Sequence, residues 1–169
     1  MRVLETDRLL LRHLTSDDAE FVLELLNEPS WLRFIGDRGV RTLDDARAYI
    51  VNGPVAMYER HGVGLYLVEL KSDGVPLGIC GLIRRETLED IDIGFAFVPR
   101  HWGKGYALES AAAVLEHGRH TLALRRIVAI TSLDNDSSIR LLEKLGMTFE
   151  RTMRMPGEDE DVKLFGIDF

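Results

Sequence analysis

Apolar residues recur along the chain with two periods, and the switches between them mark out the elements. Leu9, Leu10, Leu11 and Leu14, interrupted by Arg12 and His13, read as a short first strand. Thr15-Ser16-Asp17-Asp18 is a cluster of capping residues, after which Phe21, Val22, Leu25 and Leu26 recur at helical spacing as far as Pro29 allows. Trp31, Phe34, Gly36 and Gly39 read as a loop. Thr42 and Asp44 open a second helix carrying Ala46, Tyr49 and Ile50, which Asn52-Gly53-Pro54 bends or splits. From Gly64 the period becomes 2. Leu65 to Leu70 and Leu77 to Ile83 are strands joined by Ser72-Asp73-Gly74, the signature of a hairpin.

The centre of the pattern lies between Glu89 and Glu109. Ile91, Ile93, Phe95 and Phe97 alternate with Asp90, Asp92, Gly94 and Ala96, which predicts a strand with two unlike faces, ended by Pro99. Gly103 and Gly105 bracket Lys104 just before a helix with Leu108, Ala111, Ala112 and Leu115 on one face. Free amides at a helix start, made approachable by residues without side chains, form a site for phosphate oxygens. Arg126 to Thr131 is a further strand. A helix separates it from the strand before Pro99, so the simplest connection is a right-handed parallel crossover and the sheet is mixed. Asp134-Asn135-Asp136-Ser137 starts another helix with Ile139, Leu141, Leu142 and Leu145 apolar and Gly146 as its stop. Met147 to Met153 and Val162 to Phe169 are closing strands, separated by a turn and a solvated charge run, Pro156 to Asp161.

Composition narrows the class. A chain of 169 residues, 46% hydrophobic, suits a single domain spanning residues 1–169. A formal net charge of -7 argues against nucleic acid as a partner and mildly favours a cationic ligand. The one cysteine, Cys80, sits in an apolar segment as a buried thiol, so no internal disulfide is available and a cytoplasmic location is the default expectation. No signal-peptide region opens the chain and no apolar run reaches the roughly 20 residues of a membrane span, so a soluble protein without membrane association is expected. The five histidines lack the partners of a ligand set, and no metal is expected.

In its element order, in Trp102-Gly103-Lys104-Gly105-Tyr106-Ala107, and in Asn135-x-x-Ser138 followed by Leu142-Glu143-Lys144-Leu145-Gly146-Met147, the chain resembles the GNAT acetyltransferase superfamily. Within it the resemblance is to the branch of ribosomal-protein N-terminal acetyltransferases. It implies an α/β (α+β) fold: a mixed, mostly antiparallel central sheet flanked by helices, with a parallel, splayed strand pair forming a cofactor cleft. It also implies acetyl-CoA as co-substrate. The pantetheine arm would pair with the strand backbone near Phe97 and Val98, and the pyrophosphate would sit on the amides of Trp102, Gly103, Lys104, Gly105, Tyr106 and Ala107. Two registers fit the family's glycine turn, one through Arg100, Gly103 and Gly105 and one through Trp102, Gly105 and Ala107; spacing from Pro99 favours the second. Many family members carry a tyrosine acid seven residues after the asparagine, where this chain has Leu142. The branch resemblance puts Ser138 in that role, with Asn135 positioning the cofactor or the serine.

Acetyl transfer to an amine needs a base, a donor to the thioester oxygen and a proton for the departing thiolate. Asp92 is the first candidate for the base, since it projects from the central strand opposite Ile91 and Ile93; its bland reading is a salt-bridged carboxylate. Val98, or a neighbouring amide at a strand bulge, is the candidate oxygen donor. Asn135 is equally an ordinary helix cap, and Ser138 an ordinary first-turn serine. Trp31 and Phe34 are candidates for the wall of an acceptor pocket or for plain packing. The expected activity is acetylation of a primary amine, on a protein N-terminus or a small molecule, by direct attack in a ternary complex, in a monomer or homodimer. The alternative is a non-catalytic CoA-binding or regulatory module.

Overall fold

The computed structural model describes residues 1–169. Eight strands form one sheet in the order β1-β2-β3-β4-β5-β6-β8-β7. They are β1 (Arg2–Glu5), β2 (Leu9–His13), β3 (Leu65–Leu70), β4 (Pro76–Ile83), β5 (Asp92–Phe97), β6 (Arg126–Ser132), β7 (Thr148–Arg154) and β8 (Asp161–Asp168). The helices are α1 (Ala19–Leu26), α2 (Pro29–Phe34), α3 (Leu43–Ile50), α4 (Ala56–His61), α5 (Tyr106–Glu116) and α6 (Asp136–Lys144). Every neighbouring strand pair is antiparallel except β5 and β6. The sheet is therefore mixed and mostly antiparallel, as the sequence reading expects.

Local departures from that reading have local causes. Strand β1 is hidden from the alternation rule because a register shift between Arg2 and Leu4 turns the adjacent Val3 and Leu4 both partly inward. Pro29 does not merely bound α1. It occupies the first turn of α2, where its missing N–H costs nothing, so Trp31 and Phe34 lie on a helix and not in a loop. At Asn52-Gly53-Pro54 the helical path widens into a π-type turn over Val51–Val55 and then continues as α4. On α5 the buried face is Ser110, Ala111, Val114 and Leu115, while Ala112 is exposed. Ser110 is tolerated there because its hydroxyl donates back to the Tyr106 carbonyl at 2.9 Å.

Two apolar clusters cover the two faces of the sheet. On one, Cys80, Leu82, Ile93 and Phe97 pack with Ala111, Val114 and Leu115 of α5 and Leu142 of α6. On the other, Leu67, Ile79 and Val98 pack with Phe21, Val22 and Leu25 of α1, Trp31 of α2, and Ala46 and Ile50 of α3. Strands β5 and β6 meet at a single bridge, Asp92 against Val128, where the Val128 amide donates to the Ile91 carbonyl at 3.0 Å. Beyond it they part, and the parting makes the cleft. No helix is long and apolar enough to cross a membrane.

Candidate active site

A cleft of about 1190 Å³ runs through the gap, lined by β5, the end of β6, the turn before α5, the first turn of α6, α2, and the segment from Met155 to Val162. Its edge is backbone. The Val98 amide donates to the Leu77 carbonyl at 3.1 Å, and the register with β4 runs unbroken from Gly78 opposite Phe97 to Ile83 opposite Asp92. Along a strand the polar groups alternate sides, so those of Phe95 and Phe97 face away from β4, into the gap. This corrects the expectation for Val98: β5 has no bulge, and the Val98 amide is spent on the sheet. The amides that reach the cleft belong to Phe95 and Phe97. The Phe97 carbonyl is already taken by the Trp102 indole Nε1, which donates to it at 2.8 Å. Trp102 thus ties the turn to the strand edge while its ring stays largely exposed.

Past Val98, a short turn of 3-10 helix over Pro99–His101 carries the chain over the sheet end. Arg100 bonds Glu24 of α1, with one contact at 3.2 Å, and so points away from the glycine turn. Gly103 (φ +78°) and Gly105 (φ +82°) both hold the left-handed conformation that disfavours other residues. Gly105 is the N-cap of α5 and offers no side chain to the first turn. The first amide returned into the helix is that of Glu109, to the Gly105 carbonyl at 3.0 Å, which leaves those of Tyr106, Ala107 and Leu108 free. Arg8 and Glu109, which the sequence pattern does not single out, brace the turn from behind.

At the closed end of the gap, on the side of the sheet that faces α1 to α3, the wall is made of side chains. Asp92 is 1% exposed and accepts from Arg85 Nε at 3.0 Å. Burial pushes its carboxyl up to about 6, against the opposing pull of the Arg85 guanidinium. Asp92 lies on the face opposite Ile93, which joins the α5-side core. Arg85 comes from the β4–β5 connection, a segment with nothing in its sequence but polarity to mark it. Trp31, Phe34, Arg38 and Tyr49 also line the cleft. Trp31 is 4% exposed, and its indole N–H has no partner. The Ser132 hydroxyl donates to the Phe34 carbonyl at 2.9 Å, which fastens α2 to the end of β6.

Asn135 and Ser138 lie in the first turn of α6, also in the cleft. Asn135 performs the cap: its Oδ1 accepts from the Ser138 amide at 3.4 Å. That bond orients Ser138 through its backbone and leaves the hydroxyl out. Leu142 is fully buried in the core, so no donor stands at its place. The acidic run from Glu158 to Asp161, expected to be merely solvated, borders the cleft together with Met155 and Pro156. The β7–β8 hairpin brings it there, which a reading of the run by itself does not reveal.

Residues 8–148 match the family described as an acetyltransferase (GNAT) domain. The uncharacterised protein YkkB of Bacillus subtilis (strain 168) is 34% identical over 154 residues, covering 89% of this chain and 88% of its own length. The uncharacterised N-acetyltransferase YoaA of the same organism is 30% identical over 154 residues, covering 90% of this chain and 86% of its own. Among solved structures, RimL, a ribosomal L7/L12 alpha-N-protein acetyltransferase in complex with coenzyme A, matches with a TM-score of 0.85 at 18% identity over 100% of this chain and 98% of its own, a likeness of fold. The chain belongs to the GNAT acetyltransferase family. It is an N-acetyltransferase on the fold that family shares, with β5 and β6 as its parallel pair.

Proposed function

We propose that this protein transfers the acetyl group of acetyl-CoA to a primary amine by direct attack in a ternary complex. The observation that carries the reading is the parting of β5 and β6 beside an uncapped helix start. It offers strand amides at Phe95 and Phe97 for a pantetheine arm, and the free amides of Tyr106, Ala107 and Leu108 for a diphosphate. The complex of RimL with coenzyme A supports the same choice of ligand. Acetyl-CoA supplies a thioester, whose carbonyl carbon bonds to the amine nitrogen as the carbon–sulfur bond breaks. The chain's own groups do the rest. With the diphosphate at the start of α5 the arm takes the Phe97 amide first and the thioester lies nearer the bridge, so the Phe95 amide donates to its carbonyl oxygen. Asp92 takes the proton that the amine loses, directly or through one water, and the Ser138 hydroxyl gives a proton to the departing sulfur and regains one from solvent. Asn135 holds Ser138 in place through the cap.

Trp31 and Phe34 form the wall behind the thioester, against which the acceptor lies. A volume of about 1190 Å³ lies at or above the roughly 300–1,000 Å³ of small-molecule sites, which gives room for a co-substrate and an acceptor together. The test is thiol release from acetyl-CoA with a panel of N-terminal peptides, amino acids and polyamines. Turnover confined to one class names the acceptor. Failure to bind acetyl-CoA at millimolar concentration would sink the reading.

A further inference from the structure

The turn between β1 and β2 reaches across to the glycine turn, although the two are about a hundred residues apart in the chain. Arg8 Nε donates to Glu109 Oε1 at 2.7 Å, and the Arg8 amide to Glu109 Oε2 at 3.2 Å. The Thr6 hydroxyl donates to Glu109 Oε2 at 2.5 Å and accepts from the Leu9 amide at 3.1 Å. Arg8 Nη1 donates to the Lys104 carbonyl at 2.9 Å, and the guanidinium lies 4.6 Å over the Tyr106 ring. A Cβ at Gly105 would stand 3.3 Å from Arg8 Nη2, so the guanidinium is packed against the back of the turn. One side chain thereby touches the residue before Gly105, the residue after it and, through Glu109, the first turn of α5.

The consequence follows from the planarity of one peptide. The Lys104 carbonyl and the Gly105 N–H share a plane and point to opposite sides. Holding the carbonyl toward Arg8 turns the Gly105 amide, which has no partner, away from Arg8. Glu109 completes the brace: burial works against its charge, yet the bonds from Thr6 and Arg8 outweigh it and hold its carboxyl below the usual range. We infer that Arg8, locked by Thr6 and Glu109, is a positioning residue that fixes the amide nest for the diphosphate of the acyl donor, without itself contacting the reacting atoms. The inference rests on the acetyl-CoA reading above. It gives the protein a built-in preference for a donor carrying a nucleotide diphosphate over a bare pantetheine thioester.

The test compares the binding of coenzyme A and of pantetheine by calorimetry, with kcat measured on acetyl-CoA once an acceptor is in hand. Arg8→Gln is expected to weaken coenzyme A roughly tenfold, the scale of a lost charge-assisted bond pair at a half-exposed site. Pantetheine binding and kcat at saturating acetyl-CoA should change by less than about twofold. Arg8→Lys keeps the charge but cannot span Lys104 and Glu109 at once, and should recover little of the loss. Thr6→Val, the milder variant, should weaken coenzyme A about threefold and keeps the test open if Arg8→Gln fails to fold. Equal losses for both ligands, or full rescue by lysine, would overturn the inference. Wild-type protein that binds no coenzyme A would instead overturn the function proposed above.

Discussion

The two walls of the cleft are made of different material. Toward α5 the polar groups offered are mainly backbone amides on β5 and on the first turn of the helix, with glycines clearing the approach and the Asn135 and Ser138 side chains of α6 beside them. Toward α2 and α3 they are side chains, a buried Asp92 paired with Arg85, with Trp31, Phe34 and Tyr49 also lining the cleft. A backbone wall constrains few residue types, because any side chain carries the same amide. A side-chain wall can be rebuilt at every position without disturbing the sheet. One scaffold can therefore keep its donor and exchange its acceptor, and substitutions on the two walls should fail in different kinetic terms.

The largest effect should come from Asp92. As proton acceptor it must be ionised, and its carboxyl is pushed up to about 6, so kcat/KM should fall about tenfold per pH unit below about 6 and level off above it. Asp92→Asn should lower kcat roughly 10²- to 10³-fold and abolish that acid limb, with little change in the KM for acetyl-CoA. A loss below tenfold with the limb intact would return Asp92 to a structural partner of Arg85. Ser138→Ala should come next, costing about 10- to 100-fold in kcat and, again, little in KM. Because the Asn135 cap is made to the Ser138 amide and not to its hydroxyl, the melting temperature should barely move. A stability loss without a kcat loss would assign Ser138 to the helix alone.

The backbone wall should answer in KM. Gly105→Ala asks a residue with a Cβ to hold φ +82° and brings that carbon within 3.3 Å of Arg8 Nη2. The strain is about 1–2 kcal/mol, which predicts roughly a tenfold rise in the KM for acetyl-CoA if the turn yields to relieve it. The kcat at saturation should stay within about twofold. A fall in kcat with KM unchanged would mean that the turn positions the reacting centre as well as the nucleotide.

The same division explains what could be read from the sequence. The backbone wall announces itself, because an alternating strand, Pro99 and two glycines before a helix are local signals of a local geometry. The sheet order around it follows from the hairpin and the long crossover. The splay itself is not written in any one residue, and the direction of the Val98 amide depends on the register with β4, set from another strand. The side-chain wall draws on α2, α3, the β4–β5 connection and the β7–β8 hairpin, so Arg85 and the acidic run show in sequence only as polar connections. Arg8 is hidden for the same reason: its partners Lys104 and Glu109 are distant in the chain. Asp92 was legible because alternation alone places it opposite Ile93.

Trp31 offers the smallest effect and the finest discrimination, since its indole N–H is buried in the side-chain wall without a partner. Trp31→Phe removes that orphan donor, which relieves a cost of about 1–3 kcal/mol, but also deletes part of a ring from a packed cluster, a loss of similar size. The two nearly cancel, so the melting temperature should shift by no more than about 4 °C in a chain of this size. Binding of the acceptor has no such cancellation. If an acceptor oxygen meets the N–H, the KM for that acceptor should rise several-fold in Trp31→Phe, at unchanged KM for acetyl-CoA. If both constants stay put while stability changes, Trp31 is packing, and the discriminating contacts on this wall belong to Tyr49, Arg38 and Arg85.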